Sequence, residues 1–166
     1  MQDIFLFCCF TGFDYSTTAA LTEKNIVTDD DGSLWIETHR IKTGTPSKVK
    51  LLDIPLSILK KYKLRRDGNF LLPVMSNAKY NLYLKEIAAA CEIQKNVTSH
   101  LARHTFATTV TYANGVSIES ISKMLGHTKL STTQIYARIV DKTVSDEMDK
   151  LAQKLNNTKF NSVVGK

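Results

Sequence analysis

The sequence predicts an α+β chain that is mostly helical and carries one small three-stranded antiparallel sheet. Two patterns lead to that fold class. Between Asn25 and Ile54 three short β-rich runs alternate with turn-forming clusters, and from Pro55 onward the apolar residues recur at helical spacing. With three prolines in 166 residues, no low-complexity linker and no internal repeat, residues 1–166 read as a single domain.

Taken in order, residues 1–10 read as part of a buried helix, because an uninterrupted apolar run extends from Ile4 to Phe10. Thr11-Gly12 breaks it, and a short helix is expected over Ser16–Leu21. Strands are expected at Asn25–Thr28, Leu34–His39 and Val49–Ile54. Their turns are Asp29-Asp30-Asp31-Gly32 and Thr43-Gly44-Thr45-Pro46. Pro55 suits a first helical turn, followed by a stripe of Leu56, Leu59 and Leu64. A long helix over Asn77–Cys91 carries Leu82, Ile87 and Ala90. The next runs from a Thr98 or Ser99 cap to Ala113 and closes at Asn114-Gly115. Ser117 caps Ile118–Leu125, which Gly126 ends, and Ser131 or Thr132 caps a short segment holding Tyr136. A last amphipathic helix is expected over Asp141–Leu155, with Val144, Met148, Leu151 and Leu155 on one side.

Composition narrows the class. A hydrophobic share of 43% with 23% charged residues fits a folded core, not a disordered or fibrous chain. The longest apolar run is far short of the roughly 20 residues a membrane helix needs, so no membrane partner is expected. Gln2 and Asp3 stand where a secretory leader would be basic. Cys8, Cys9 and Cys91 have no metal or disulfide spacing, which favours a reducing cytoplasmic setting. The charge is uneven. Nine basic residues between Arg40 and Arg66, against Asp53 alone, make that window +8 within a chain of net +6. Such a run is either a solvated face or a stripe that attracts phosphates, and composition leaves both open.

Chemistry concentrates in Ser99-His100-Leu101-Ala102-Arg103-His104. On a helix His100 and Arg103 share a face and can reach one phosphate. His100 and His104 also have zinc-pair spacing, but the glutamate and further ligands of a zinc enzyme are absent nearby. Alone, the segment favours histidines that only bond neighbouring turns. His127 follows a glycine helix stop in Leu125-Gly126-His127, and Tyr136 comes nine residues later. A tyrosine can act as a nucleophile when cations and donors stabilise the charge developing on its target.

His100-Leu101-Ala102-Arg103-His104-Thr105-Phe106-Ala107-Thr108, then Leu125-Gly126-His127, then Thr132-Thr133-Gln134-Ile135-Tyr136-Ala137 together resemble the catalytic domain of tyrosine recombinases, the phage-type integrases. More narrowly the chain resembles integrases of Bacteroides-type mobile elements. Leu34-Trp35-Ile36-Glu37-Thr38, Arg40-Ile41-Lys42-Thr43-Gly44 and Leu52-Asp53-Ile54-Pro55-Leu56 add to the likeness, which runs from about Phe7 to Leu151.

The resemblance implies site-specific DNA recombination by cleavage and rejoining. Tyr136 would attack a DNA phosphodiester to form a 3′-phosphotyrosine, and Lys42 would protonate the leaving 5′-oxygen. Arg103 would hold the non-bridging oxygens, with His100 and His127 accepting the tyrosine proton or bracing the phosphorane. Arg40, Lys48, Lys50 and His104 are candidate DNA contacts. No cofactor and no metal are implied, because side chains supply the cations. The expected partners are double-stranded DNA and other protomers in a synaptic tetramer. The family pattern also implies a C-terminal catalytic fragment of a longer integrase, with an N-terminal core-binding domain outside this chain.

One position departs from the pattern. The family motif Thr-Gly-Leu-Arg supplies a first catalytic arginine, but here Asp14 follows Thr11-Gly12-Phe13. Either the domain is a catalytically impaired DNA-binding module, or another cation fills the gap. Arg40 is the leading candidate, since on a strand it would share a face with Lys42. A type IB topoisomerase and, last, a zinc hydrolase on His100, His104 and His127 complete the alternatives.

Overall fold

A computed structural model describes residues 2–65, 68–137 and 143–157. The chain opens with helices α1 (Gln2–Thr11) and α2 (Tyr15–Ala20), then a meander of β1 (Ile26–Thr28), β2 (Leu34–His39) and β3 (Pro46–Lys50). Helices α3 (Asp53–Tyr62), α4 (Asn77–Ala90), α5 (Ser99–Thr105), α6 (Ile118–Met124), α7 (Ser131–Ala137) and α8 (Thr143–Asn157) follow. The strands pair antiparallel in the order β1-β2-β3. Mostly helical with one small sheet is therefore the observed architecture.

The core explains the order. Helix α1 packs against α3 and α5, and α6 against β3. Phe7, Phe13, Leu21, Ile36, Leu71, Ile121 and Leu125 form the main buried cluster, which ties α1, the sheet and α6 together. On the sheet, Ile36 and Val49 face this core, while Trp35, Glu37, Lys48 and Lys50 occupy the other face, as period-two alternation requires. A second cluster joins Ile4, Cys8 and Cys9 of α1 to Tyr80 and Leu84 of α4 and Ala102 of α5.

Three sequence expectations are corrected. Strand β3 starts at Pro46, not Val49, because the Arg40 N–H donates to the Thr45 carbonyl at 2.8 Å and closes the hairpin early, so that His39 pairs with Pro46. Leu51 and Leu52 then lead into α3. That helix buries Pro55, Ile58 and Leu59. Leu64 is 96% exposed, because a 3-10 turn after Tyr62 throws it out of helical phase. Helix α4 buries Tyr80, Leu84 and Ala88 and exposes Leu82 and Ile87. The row that wins is the one whose tyrosine meets Cys8, Cys9 and the ring of Tyr15, 6.0 Å away.

The predicted helix to Ala113 changes type midway. After α5 the chain widens into a π-helical segment, Phe106–Thr111, and tightens to 3-10 before Gly115 ends it with φ +81. Thr111 donates its hydroxyl to the carbonyls of both Phe106 and Ala107, at 2.8 and 3.0 Å, which supports the wider turn. Asp141, the expected start of the last helix, and Arg66 of the basic window lie outside the described residues, as does the side chain of Val144. Met148, Leu151 and Leu155 of α8 remain exposed.

Candidate active site

Among the described residues Arg103 is the largest fully buried side chain, 2% exposed. Because α5 packs on α1, its guanidinium reaches the loop where α1 ends. One terminal nitrogen donates to the Gly12 carbonyl at 2.7 Å and the other to the Leu125 carbonyl. A buried cation without acceptors would be costly, and these two carbonyls provide them. Burial, and after it the neighbouring Arg40, pulls the Arg103 pKa down to about 10, with Asp14 acting the other way. The group stays charged at neutral pH.

Gly12 makes that seat possible. Its φ is +72, and a Cβ there would lie 2.4 Å from Phe106 Cδ1 and 2.9 Å from Leu125 Cδ2. Both neighbours are buried core residues, 2% and 0% exposed. Gly12→Ala is expected to destabilise the fold by roughly 2–4 kcal/mol, as strain adds to overpacking. Urea unfolding checks this, and a midpoint within error of the parent would contradict it.

Arg40 and Lys42 lie in the β2–β3 turn, not on a strand, because β2 stops at His39. Strand alternation therefore does not bring them together. They nevertheless line one cleft of about 510 Å³ with Asp14, Asn77, Ser99 and His100. The turn is held on two sides. The Ile41 N–H donates to Thr17 Oγ1 of α2 at 3.4 Å, and the Ser47 hydroxyl donates to the Met124 carbonyl of α6. At Gly126, with φ +60, a Cβ would come within 3.3 Å of the Thr45 carbonyl oxygen, so a glycine there allows the hairpin to close on the end of α6.

Asp14 is not a bare acid in the cleft. Its Oδ1 accepts from the Thr17 N–H at 2.9 Å and caps α2, and its Oδ2 accepts from Arg40 Nε at 3.2 Å. Burial would raise its pKa, but the bonds from Thr17 and then Arg40 outweigh it and hold the carboxyl below the usual value.

The aromatic residues close the cluster. The rings of His100 and His104 meet edge to face at 4.6 Å, and His104 meets Tyr136 the same way at 5.3 Å. Tyr136 is 3% exposed. Burial raises its pKa, against the pull of Arg103 and Arg40. His127 Nδ1 lies 2.8 Å from the hydroxyl of Thr133, one helical turn before Tyr136. Burial, then Arg103 and Arg40, pushes His127 down to about 4, and burial, then His104, also lowers His100.

These shifts have a sign. The unfolded chain takes up a proton on His127 near its ordinary 6.5, while the folded chain resists until about 4. Stability is thus full above that window and declines as pH falls through it. The thermal midpoint of the DNA-free chain is expected to drop between pH 6.5 and 4, and to drop less in His127→Gln; equal pH dependence in the two chains would contradict this.

Arg103, Arg40, His100, His127, His104 and Tyr136 are linked by ring contacts and charge, and Lys42 shares a cleft with Arg40 and His100. Lys48 and Lys50 are apart from them. Both lie over Trp35 on the outer sheet face, 5.1 and 5.7 Å from its ring, and pair with Glu37 and Asp31. A larger groove of about 730 Å³ carries Lys24, His39, Lys48 and Lys123 to His127. Sequence reasoning missed the Gly12 and Leu125 carbonyls, Thr133 and the two roles of Asp14. Only Thr133 carried a signal, since it lies within the segment that holds Tyr136. Among the described residues no cluster of three His, Cys, Asp or Glu is placed to hold a metal, and no helix is long and apolar enough to cross a membrane.

Residues 2–143 match the family model described as the phage integrase family, and the chain belongs to that family, with the fold of a tyrosine recombinase catalytic domain. It is 35% identical over 123 residues to a tyrosine recombinase of Thermosipho africanus, covering 68% of this chain and 42% of that protein. It is 34% identical to the tyrosine recombinase XerD of Listeria monocytogenes over 63% of this chain and 36% of that one. The chain thus spans less than half the length of these relatives. Among solved structures, the XerH recombinase bound to a palindromic difH substrate superposes with a TM-score of 0.71 at 21% identity, over 89% of this chain and 44% of that chain. The catalytic domain of bacteriophage HP1 integrase gives 0.62 at 21% identity, over 89% and 79%.

Proposed function

We propose that residues 1–166 form the catalytic domain of a mobile-element integrase, which cuts and rejoins double-stranded DNA through a 3′-phosphotyrosine at Tyr136. The observation that carries this reading is that Arg103 and Arg40 both act on Tyr136, whose ring packs on His104, while His127 bonds Thr133 one turn before it and feels the same two arginines. In the reaction Tyr136 Oη forms a bond to phosphorus as the bond to the 5′-oxygen breaks. The tyrosine proton passes to His127 or His100, which their lowered pKa values keep neutral in the DNA-free chain while weakening each as a base, and Lys42 gives its proton to the leaving oxygen. Arg103 and Arg40 balance the charge on the non-bridging oxygens. Arg40 takes the part of the arginine that Asp14 displaces. The phosphodiester count is unchanged, so the step reverses when a 5′-hydroxyl attacks the phosphotyrosine.

DNA in a tetramer of protomers is the proposed substrate assembly, by analogy with relatives whose solved complexes hold substrate DNA. The test mixes the full chain with nicked half-site duplexes drawn from candidate element ends. The expected result is a covalent protein–DNA adduct on a denaturing gel, with the phosphotyrosine mapped to residue 136. An adduct at any other residue, or none on a duplex the chain binds in a salt-sensitive way, overturns the reading.

A further inference from the structure

Asp14 is a carboxylate at the edge of a cluster built of cations, and its two oxygens are both committed. Oδ1 takes the Thr17 N–H at the start of α2, and Oδ2 takes Nε of Arg40. Among the described residues the two terminal nitrogens of Arg40 make no hydrogen bond, although its side chain is only 16% exposed. The pair forms one wall of the cleft that also holds Lys42 and His100.

Arg40 is a like charge beside Arg103 in a partly dry site and makes Arg103 harder to hold charged there. Arg103 is fixed by two carbonyls, but Arg40 stands on a turn whose backbone offers its guanidinium nothing comparable. A long side chain left free there would sample many rotamers and lose freedom on meeting a phosphate. A carboxylate on Nε removes that freedom beforehand and leaves the two terminal nitrogens as a fork suited to two phosphate oxygens.

We infer that Asp14 is a positioning residue for Arg40, anchoring its Nε from the capped start of α2 so that the terminal nitrogens are held ready for the scissile phosphate. This rests on Arg40 serving as a phosphate-holding arginine. The opposing effect is repulsion between the Asp14 carboxylate and the phosphate. It is the smaller one, because Oδ1 is already balanced by the α2 N-terminus and Oδ2 by Arg40.

The test compares the parent chain with Asp14→Asn, Arg40→Ala and the double variant, using the rate of adduct formation on one nicked half-site duplex that the parent cleaves. Asparagine caps helices about as well as aspartate, so Asp14→Asn keeps the thermal midpoint while losing the ion pair. The expected result is a loss of about 10–10²-fold in rate with an unchanged midpoint and unchanged DNA occupancy. The same substitution should cost nothing further in the Arg40→Ala background, since residues acting as a unit are not additive. Asp14→Asn cleaving as fast as the parent or faster, with Arg40→Ala still slow, overturns the positioning role and leaves Arg40 its own. Arg40→Ala cleaving at the parental rate overturns the reading of Arg40 itself, and with it this inference.

Discussion

Tyr136→Phe is expected to abolish the covalent DNA adduct while leaving fold and DNA affinity intact. The substitution removes one oxygen from a side chain whose ring is buried, and whose packing against His104 is a contact of ring with ring. The phenylalanine ring keeps that contact, so the thermal midpoint should move little. What disappears is the oxygen that would form the bond to phosphorus, while the ring and its contact with His104 stay. Adduct formation on a nicked duplex, followed beside a binding titration, separates the two effects. A variant that still forms an adduct would place the nucleophile elsewhere.

Arg103→Lys is expected to carry the next largest loss, although the charge is kept. The guanidinium donates from two separate nitrogens to carbonyls contributed by Gly12 and Leu125. A lysine offers one compact ammonium, which cannot span both acceptors and face a phosphate as well. One buried carbonyl then goes unpaired, at a cost of about 1–3 kcal/mol in stability. The rate of adduct formation should fall about 10²–10³-fold, the usual loss of one donor to the developing charge. Denaturant unfolding and single-turnover cleavage read the two numbers on the same protein. A lysine variant within a few-fold of the parent would show that Arg103 serves packing alone.

The element order was largely legible because its signals are local. Ser117, with its bond from the Ser120 N–H, and the glycines at 115 and 126 mark helix ends by their own chemistry, whereas Thr98 holds the cap position of α5 with no side-chain bond. The core faces were less so. Helix α4 contains two plausible apolar rows, and the choice between Tyr80 and Leu82 is made by α1, a partner far away in sequence. The π-helical stretch after α5 was invisible for a similar reason, since threonine-rich segments also fit an ordinary helix. At the site, residue types and spacing named the charged and aromatic members. They said nothing of backbone acceptors, which every residue possesses. They left the part of Asp14 open, because a side chain's field depends on what already engages its oxygens.

The seat of Arg103 has a bearing on how this protein tolerates genetic change. Its acceptors are main-chain oxygens, and no substitution at position 12 or 125 can delete them. Variation at Leu125 that keeps an apolar side chain of similar size should therefore pass unnoticed by the arginine, while at Gly12 even one added methyl runs into Phe106 and Leu125. A saturation scan should find Leu125 accepting only apolar residues of similar size and Gly12 nearly invariant, though both touch the same guanidinium.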